Sequence, residues 1–77
     1  MSEADAIKLF KCLSDKSRLQ ILKSLAIEDM DVERLAGRLD LTPATISFHL
    51  KKLADAGAVR SYKKQYYTMY SLCKDVF

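Results

Sequence analysis

The amino-acid sequence predicts a mainly α-helical fold that ends in a small β-hairpin. The first observation is that apolar residues recur at helical spacing over residues 3–56, with polar breaks between the segments. The second is a pair of stretches after Gly57 that are rich in tyrosine, valine and threonine, as strands are. The third is the length, because 77 residues make one domain with a modest core. We therefore expect residues 1–77 to form a single domain of three to four helices and a two-stranded hairpin.

The first helix is predicted over residues 3–13. Its apolar residues cover a wide arc that leaves Lys8 and Lys11 outside: Ala6, Ile7, Leu9, Phe10 and Leu13. An arc this wide exceeds what one small core needs, which favours a second contact with a partner subunit or with a missing part of the chain. The alternative is that the helix simply lies across its own domain. For a partner subunit, the predicted dimer-interface residues are Ile7, Phe10 and Leu13.

The second helix is predicted to begin after a cap at Ser14 or Asp15 and to run to about Ala26. Its buried stripe is predicted on Leu19, Leu22 and Ala26, with Ile21 and Leu25 adjoining. A polar break follows, and then a short extended segment over residues 30–32.

Two short helices joined by a tight connection are predicted next. Asp31 can cap a helix over residues 32–39, and Asp40, Leu41 and Thr42 then lead into the following helix. A connection of about three residues between two helices is the signature of a helix-turn-helix. Asp40 stands where glycine is usual, and Asp tolerates the left-handed conformation better than most residues.

The helix that follows is marked at both ends. Thr42 can cap it, Pro43 suits its first position, and Gly57 can end it in the left-handed conformation. Its buried face is predicted from the apolar spacing to hold Ile46, Leu50, Leu53 and Ala54. Its opposite face has no carboxylate before Asp55, so it can approach DNA without electrostatic repulsion.

Strands are predicted at residues 58–62 and 66–72, with Lys63, Lys64 and Gln65 as a basic turn between them. Tyr70 and Leu72 lie on the face of the second strand that we expect to be buried. The apolar Val76 and Phe77 at the end of the chain favour an amino-terminal part of a longer protein.

Charge is divided unevenly along the chain. The formal net charge is +3, but eight of the ten acidic residues lie within the first 40 positions. From Thr42 to Cys73 the one acidic residue is Asp55, against five lysines and arginines. A segment dominated by positive charge is the footprint of a surface that faces phosphates.

Several classes of protein are excluded by composition. The apolar runs are too short for a membrane span, and the start of the chain holds Glu3 and Asp5 where a signal peptide needs a basic region and an apolar run. We therefore expect a cytoplasmic protein without a membrane partner. Cys12 and Cys73 are interpreted as small buried hydrophobes rather than a disulfide or a zinc site. No nucleophile or pair of carboxylates accompanies His49, so no catalytic residue and no enzyme is predicted.

Three helices and a basic hairpin together predict a winged helix-turn-helix, with the helix over residues 43–56 in the major groove of double-stranded DNA and the wing, residues 59–72, on the flanking groove. His49 has two open roles, half-buried packing or a phosphate contact. The predicted DNA-binding residues are Thr42, Ala44, Thr45, Ser47, Phe48, His49, Lys51, Lys52, Lys63, Lys64 and Gln65. Exposure of Phe48 keeps a second hypothesis open, a winged helix that serves as a protein-interaction or dimerisation module.

The motifs resemble those of the ArsR family of bacterial transcription regulators. Residues 13–22 are LSDKSRLQIL, similar to the family's L-x-D-P-T-R-L-x-I-L with Lys16 in place of proline, and residues 41–53 are LTPATISFHLKKL, similar to L-S-x-x-T-V-S-x-H-L-x-x-L. The resemblance covers residues 6–72 and implies a homodimer on a pseudo-palindromic operator, usually a repressor released by an inducer. The family's metal-sensing branch carries a cysteine pair on the third helix. Residues 29–34 hold no cysteine, so neither a metal nor another cofactor is expected.

Overall fold

The computed structural model describes residues 2–76, and it contains four helices followed by a hairpin. The elements are α1 (Glu3–Leu13), α2 (Lys16–Ile27), α3 (Val32–Leu39), α4 (Pro43–Asp55), β1 (Val59–Lys64) and β2 (Tyr67–Leu72), with a short 3-10 turn at Lys74–Val76. The strands pair antiparallel, from Val59 opposite Leu72 to Lys64 opposite Tyr67. The predicted fold class, a mainly helical winged helix-turn-helix, is confirmed.

Each helix begins at a side chain that caps it. The oxygens of Asp15, Asp31 and Thr42 accept hydrogen bonds from backbone N–H groups three residues later, at 3.1, 2.8 and 3.2 Å. These contacts satisfy donors that the first turn of a helix leaves unpaired. All three caps agree with the prediction, and Ser2 caps α1 in the same way.

The connection between α3 and α4 depends on a left-handed residue. Asp40 has a φ of 56°, and the N–H of the next residue, Leu41, donates to the carbonyl of Ala36 at 3.1 Å. Gly57, with a φ of 79°, ends the segment after α4. Both predicted left-handed positions are confirmed, and between them they set the angles at which the chain enters and leaves α4.

The core draws on every helix. Its fully buried large side chains come from α2, the following loop, α3 and α4: Ile21, Met30, Leu35, Ile46, Leu50 and Leu53. Leu9 and Cys12 of α1 complete one side, so Cys12 is buried as predicted. Met30 also exchanges two backbone hydrogen bonds with Tyr70, at 3.2 and 2.9 Å, which adds a one-residue third strand to the hairpin. This bridge attaches the wing to the helices at the predicted extended segment.

The buried face of α2 differs from the predicted stripe. Ile21, Leu22 and Leu25 are buried, whereas Leu19 is 45% exposed and Ala26 is also exposed. Apolar residues lie around most of this helix, so their spacing could not identify the inward face. The contacts with α1, α3 and α4 decide it. Ser24 can be buried because its hydroxyl donates to the carbonyl of Gln20 at 3.0 Å.

The buried face of α4 also needs one correction. Ile46, Leu50 and Leu53 are buried as predicted, but Ala54 is exposed and His49 takes the fourth place. An exposed alanine costs little because its apolar surface is small. His49 can be buried because one of its ring nitrogens has a hydrogen-bond partner within the fold.

Candidate nucleic-acid interface

One face of α4 projects into solvent and carries most of the predicted DNA-binding residues. Five of them are exposed along the helix: Ala44, Ser47, Phe48, Lys51 and Lys52. Thr42 is exposed at the cap, and Thr45 is half-buried one turn further on. The face therefore begins with short polar side chains and ends with two lysines. This order suits a helix whose first turns reach base edges while its last turns neutralise phosphates.

The two threonines at the start of α4 form a hydrogen-bonded pair. The Thr42 hydroxyl accepts from the N–H of Thr45 at 3.2 Å and donates its own proton to Oγ1 of Thr45 at 2.9 Å. A hydroxyl has one proton to give, so that of Thr42 is occupied. The Thr45 hydroxyl keeps its own proton for a phosphate or a base acceptor. The capping residue Thr42 thus orients the Thr45 hydroxyl, which is the one best suited to contact DNA.

Phe48 projects from the middle of the face. Its side chain is 55% exposed, and the ammonium of Lys52 lies 5.5 Å from its ring centroid. Its ring also packs edge-to-face with the ring of His49, with centroids 5.6 Å apart and ring planes at 66°. Such edge-to-face contacts are favourable and hold the ring in one orientation. The exposed edge is then available for the methyl group of a thymine.

His49 lies on the inner side of α4, unlike the other predicted contact residues. It is 9% exposed, and its Nδ1 accepts a hydrogen bond from Nε of Arg18 at 3.2 Å. Nη1 of Arg18 also donates to the carbonyl of Cys12 at 3.5 Å. Of the two roles left open for His49, this geometry supports packing. Arg18 was not predicted to lie beside the DNA-binding residues. The sequence did hold a signal, because Arg18 is a basic residue within the apolar arc of α2.

Asp15 supports the same arginine from the start of α2. The backbone N–H of Arg18 donates to its carboxylate at 3.1 Å. That hydrogen bond lowers the pKa of Asp15 below its ordinary value of 3.8, while partial burial opposes the shift. The carboxylate that caps α2 is therefore held ionised.

The tip of the wing differs from the prediction. Lys63 and Lys64 lie within β1, and the two-residue turn consists of Gln65 and Tyr66. Gln65 takes a φ of 57°, because a two-residue hairpin turn requires a positive φ at its first position. The turn lacks glycine, so composition could not locate it. Tyr66 is 98% exposed at the tip and was missed as a candidate contact.

The wing is fixed by side chains as well as by its backbone. The Tyr62 hydroxyl donates to a carboxylate oxygen of Asp29 at 2.6 Å, which ties β1 to the loop after α2. This hydrogen bond, together with burial and the negative charge of Asp29, raises the pKa of Tyr62 above 10.0. On the other side of β1, Nζ of Lys63 donates to the Thr68 hydroxyl at 2.7 Å. Tyr70 and Leu72 are half-buried against the core, on the face predicted.

The predicted dimer-interface residues form an apolar surface on α1. Ile7 is 49% exposed, Phe10 is 70% exposed, and Leu13 is half-buried. Leu13 also lines an open apolar groove of about 510 Å³ together with Leu19, Leu22, Lys23, Ala26 and Leu72. The exposed part of α2 thus extends the surface of α1.

Two further features concern metals and membranes. Within residues 2–76, no group of three or more His, Cys, Asp or Glu side chains is arranged to hold a metal ion. Among the helices described, none combines the length and apolar character that crossing a bilayer requires.

More than half of this chain matches one family of bacterial regulatory proteins. A model of the family described as "Bacterial regulatory protein, arsR family" matches residues 15–61. The transcriptional activator HlyU of Vibrio cholerae is 34% identical over 71 residues, which are 92% of this chain and 66% of that protein. A cadmium resistance transcriptional regulatory protein of Listeria innocua, CadC, is 44% identical over 55 residues, 70% of this chain and 46% of the relative. The chain therefore spans between about half and two thirds of the length of these relatives.

Solved structures agree with the sequence matches. Reduced HlyU from Vibrio cholerae superposes with a TM-score of 0.83 at 35% identity, over 90% of this chain and 73% of that one. A homodimeric winged helix-turn-helix DNA-binding domain from Mycobacterium bovis superposes with a TM-score of 0.90 at 26% identity, over 99% and 77% of the two chains. The four helices and the wing are thus shared with a domain described as DNA-binding.

Proposed function

This chain belongs to the arsR family of bacterial regulatory proteins, and we propose that it regulates transcription by binding double-stranded DNA through α4 and the wing. The observation that carries the proposal is the exposed face of α4. From Pro43 to Ala54 this helix has no carboxylate, while Lys51 and Lys52 project from its second half. Membership of a family of bacterial regulatory proteins also favours DNA binding over the alternative role as a protein-interaction module.

The structure supports separate roles for the two halves of α4. In its first half, Ala44, Thr45, Ser47 and Phe48 offer hydroxyl groups and apolar edges of the kind that distinguish bases in the major groove. In its second half, Lys51 and Lys52 carry point charges and lack the planar set of donors with which arginine pairs with a base edge. They therefore suit phosphates. We therefore assign sequence preference to the first half and general affinity to the second. His49 has a supporting role in this proposal, because it lies on the buried side of α4 and packs against the ring of Phe48.

The wing is proposed to contact the flanking groove and its phosphates. Lys63 and Lys64 supply positive charge from β1, and Gln65 and Tyr66 form the tip. The Tyr62–Asp29 hydrogen bond and the Met30–Tyr70 bridge fix the base of the wing. The tip can then approach DNA without reordering its support.

We further propose that the protein acts as a homodimer. The neighbour from Mycobacterium bovis is described as homodimeric, and Ile7 and Phe10 are exposed apolar residues on one helix here. Burying them against a second copy would remove apolar surface from water. Phe10→Glu should therefore shift the sedimentation of the protein from dimer to monomer while its circular dichroism stays helical. Retention of the dimer by this variant would contradict the assignment of α1.

The proposed activity is tested by selecting duplexes from a random pool at near-physiological salt and sequencing them. Enrichment of an inverted repeat would support specific binding by a dimer, and a single half-site would support specific binding by a monomer. No enrichment by the folded protein would overturn the proposal. Lys51→Glu should abolish binding to the selected duplex, with Lys16→Glu as a control for an exposed lysine on another helix.

Three finer points belong to the same proposal. Family membership points to a binding role, and we propose no catalytic one. Since a bacterial regulator that binds DNA acts where the DNA is, we place the protein in the cytoplasm. The direction of regulation is proposed as repression, which a reporter fused to the selected operator would test. A rise in reporter expression on adding the protein would instead assign activation, the role named for HlyU of Vibrio cholerae.

A further inference from the structure

A second basic surface lies beside the exposed face of α4, in the cleft between α1, α2 and α4. This α1–α4 cleft has a volume of about 390 Å³. Its lining includes four cationic side chains and one carboxylate, with a buried cysteine at its base: Lys8, Lys11, Arg18, Lys52, Asp55 and Cys12. Such an excess of like charge around one concave site is unfavourable unless an anion offsets it.

Arg18 is the fixed element of the cleft. Its Nε donates to His49 at 3.2 Å, and its Nη1 donates to the carbonyl of Cys12 at 3.5 Å. A guanidinium has five N–H donors in a planar fork, so these two bonds orient the group and leave others for a ligand. An arginine already held in place loses less side-chain freedom when it binds a phosphate. The cleft is therefore preorganised for a phosphate at its arginine.

Lys52 joins the cleft to the proposed DNA interface. It lines the cleft, and its ammonium also lies 5.5 Å from the ring centroid of Phe48 on the exposed face of α4. Ile7 and Phe10, the proposed dimer residues, do not line the cleft. The cleft is thus continuous with the DNA interface and separate from the apolar surface of α1.

We propose that the α1–α4 cleft holds a backbone phosphate of the bound duplex, contacted by Lys8 and Lys11 of α1 together with Arg18 and Lys52. The inference rests on the proposed DNA binding and extends it to the first helix. A nucleic-acid phosphate is favoured over an acidic protein because Lys52 lies both in the cleft and on the exposed face of α4 that is proposed to contact DNA. The contact adds affinity without sequence preference.

The test uses the full chain and a duplex selected from the random pool. Lys8→Gln/Lys11→Gln, the cleft variant, removes two charges at the cleft, and the control variant Lys16→Gln/Lys74→Gln removes two exposed charges outside both the cleft and the apolar groove beside α1. Both variants have the same net charge, so general electrostatic attraction is matched. We expect the slope of log affinity against log salt to fall by about 0.9 for each phosphate that the protein no longer neutralises. The cleft variant should show this smaller slope and bind about tenfold more weakly at 0.1 M salt, with an unchanged preferred sequence, and the control variant should stay close to wild type.

A second measurement identifies the phosphate itself. Methylphosphonate replaces backbone phosphates of the duplex one at a time, which removes single charges. One position is expected where the replacement weakens binding of the wild type and of the control variant more than binding of the cleft variant, which has lost two of the four cations that contact the phosphate. Such coupling locates the contact.

The outcomes separate the two proposals. Equal salt slopes for the cleft and control variants, with binding still abolished in Lys51→Glu, would overturn the cleft contact alone. A changed preferred sequence in the cleft variant would also overturn it, because a phosphate contact carries no sequence information. Failure of the wild type to bind any selected duplex would overturn the proposed function and this inference together.

Discussion

Helix α4 and the wing are attached to the same core by different means. α4 is held by apolar side chains that are 0–1% exposed, namely Ile46, Leu50 and Leu53, and by the hydrogen bond from Arg18 to His49. The wing relies on the Met30–Tyr70 backbone bridge, the Tyr62–Asp29 hydrogen bond and the half-buried Tyr70 and Leu72.

This difference indicates how the two elements would meet DNA. Close-packed apolar contacts hold α4 rigidly, because moving it would open voids in the core. Hydrogen bonds near solvent contribute less net free energy, since water can replace them. The helix that would read bases is therefore fixed, while the element that would contact the flanking groove can adjust. Four sets of substitutions test this comparison, from the largest expected effect to the smallest.

Truncation of a core residue of α4 should have the largest effect. Leu50→Ala removes a side chain that is 1% exposed and leaves a cavity, so we expect a loss of about 2–5 kcal/mol in the free energy of unfolding. Leu72→Ala is the matched change in the wing and should cost less than half as much, because Leu72 is only half-buried. Denaturant titrations followed by circular dichroism measure both. Equal costs would contradict the difference between α4 and the wing.

The polar attachment of α4 should be strongly coupled. Arg18→Met leaves Nδ1 of buried His49 without its donor, which should cost about 1–3 kcal/mol of stability. His49→Leu alone should cost a similar amount, since it leaves Nε of Arg18 without its acceptor. Replacing both removes the two polar partners together, so the double variant should be more stable than the sum of the single costs implies.

A double-mutant cycle from urea denaturation measures the coupling. Additive losses would show that the hydrogen bond does not contribute to stability. The double variant also separates folding from DNA binding. It should recover stability but still bind the selected duplex weakly, because it lacks the Arg18 guanidinium of the α1–α4 cleft.

Most of the fold could be predicted from the sequence because its signals are local. The caps at Asp15, Asp31 and Thr42 and the left-handed residues Asp40 and Gly57 lie next to the elements that they begin or end. The inward face of α2 could not be predicted, because apolar residues lie on most of its sides and contacts with other helices choose among them. The turn at Gln65 and Tyr66 was missed because neither residue type marks a turn.

The candidate site was predictable to a similar degree and for the same reason. The exposed face of α4 follows from its helical spacing, and the structure places Ala44, Ser47, Phe48, Lys51 and Lys52 on it. The Arg18–His49 contact joins residues 31 positions apart. No periodicity within one helix carries that information, and the α1–α4 cleft depends on it.

The cap of α2 supports Arg18 and should have a moderate, pH-dependent effect. Asp15→Ala should lower stability by about 1 kcal/mol at neutral pH through loss of the cap. Asp15→Asn keeps the capping oxygen but removes the charge. Because the pKa of Asp15 is lowered in the folded state, its charge stabilises the protein above the unfolded value of 3.8, and this contribution is lost as pH falls through the lower native pKa. The stability difference between wild type and Asp15→Asn should therefore be constant near neutrality and disappear in acid. A difference that persists unchanged at the lowest pH would contradict the charge effect.

The hydrogen bond that ties down the wing should have the smallest effect on stability and the clearest effect on local motion. Tyr62→Phe removes the exposed hydroxyl that donates to Asp29, so global unfolding should barely change. Amide hydrogen exchange at Met30 and Tyr70 should accelerate, because the bridge beside this contact would open more often. The raised pKa of Tyr62 supplies an independent signal, since its bond is present below pH 10.0 and is lost as pH rises through the higher native value. Ultraviolet titration should show a tyrosine component that ionises above pH 10.0, and Tyr62→Phe should remove that component while the control Tyr66→Phe keeps it. Unchanged exchange in Tyr62→Phe would show that the Tyr62–Asp29 hydrogen bond does not help to hold the wing, which would then rely on its packing and backbone bridge alone.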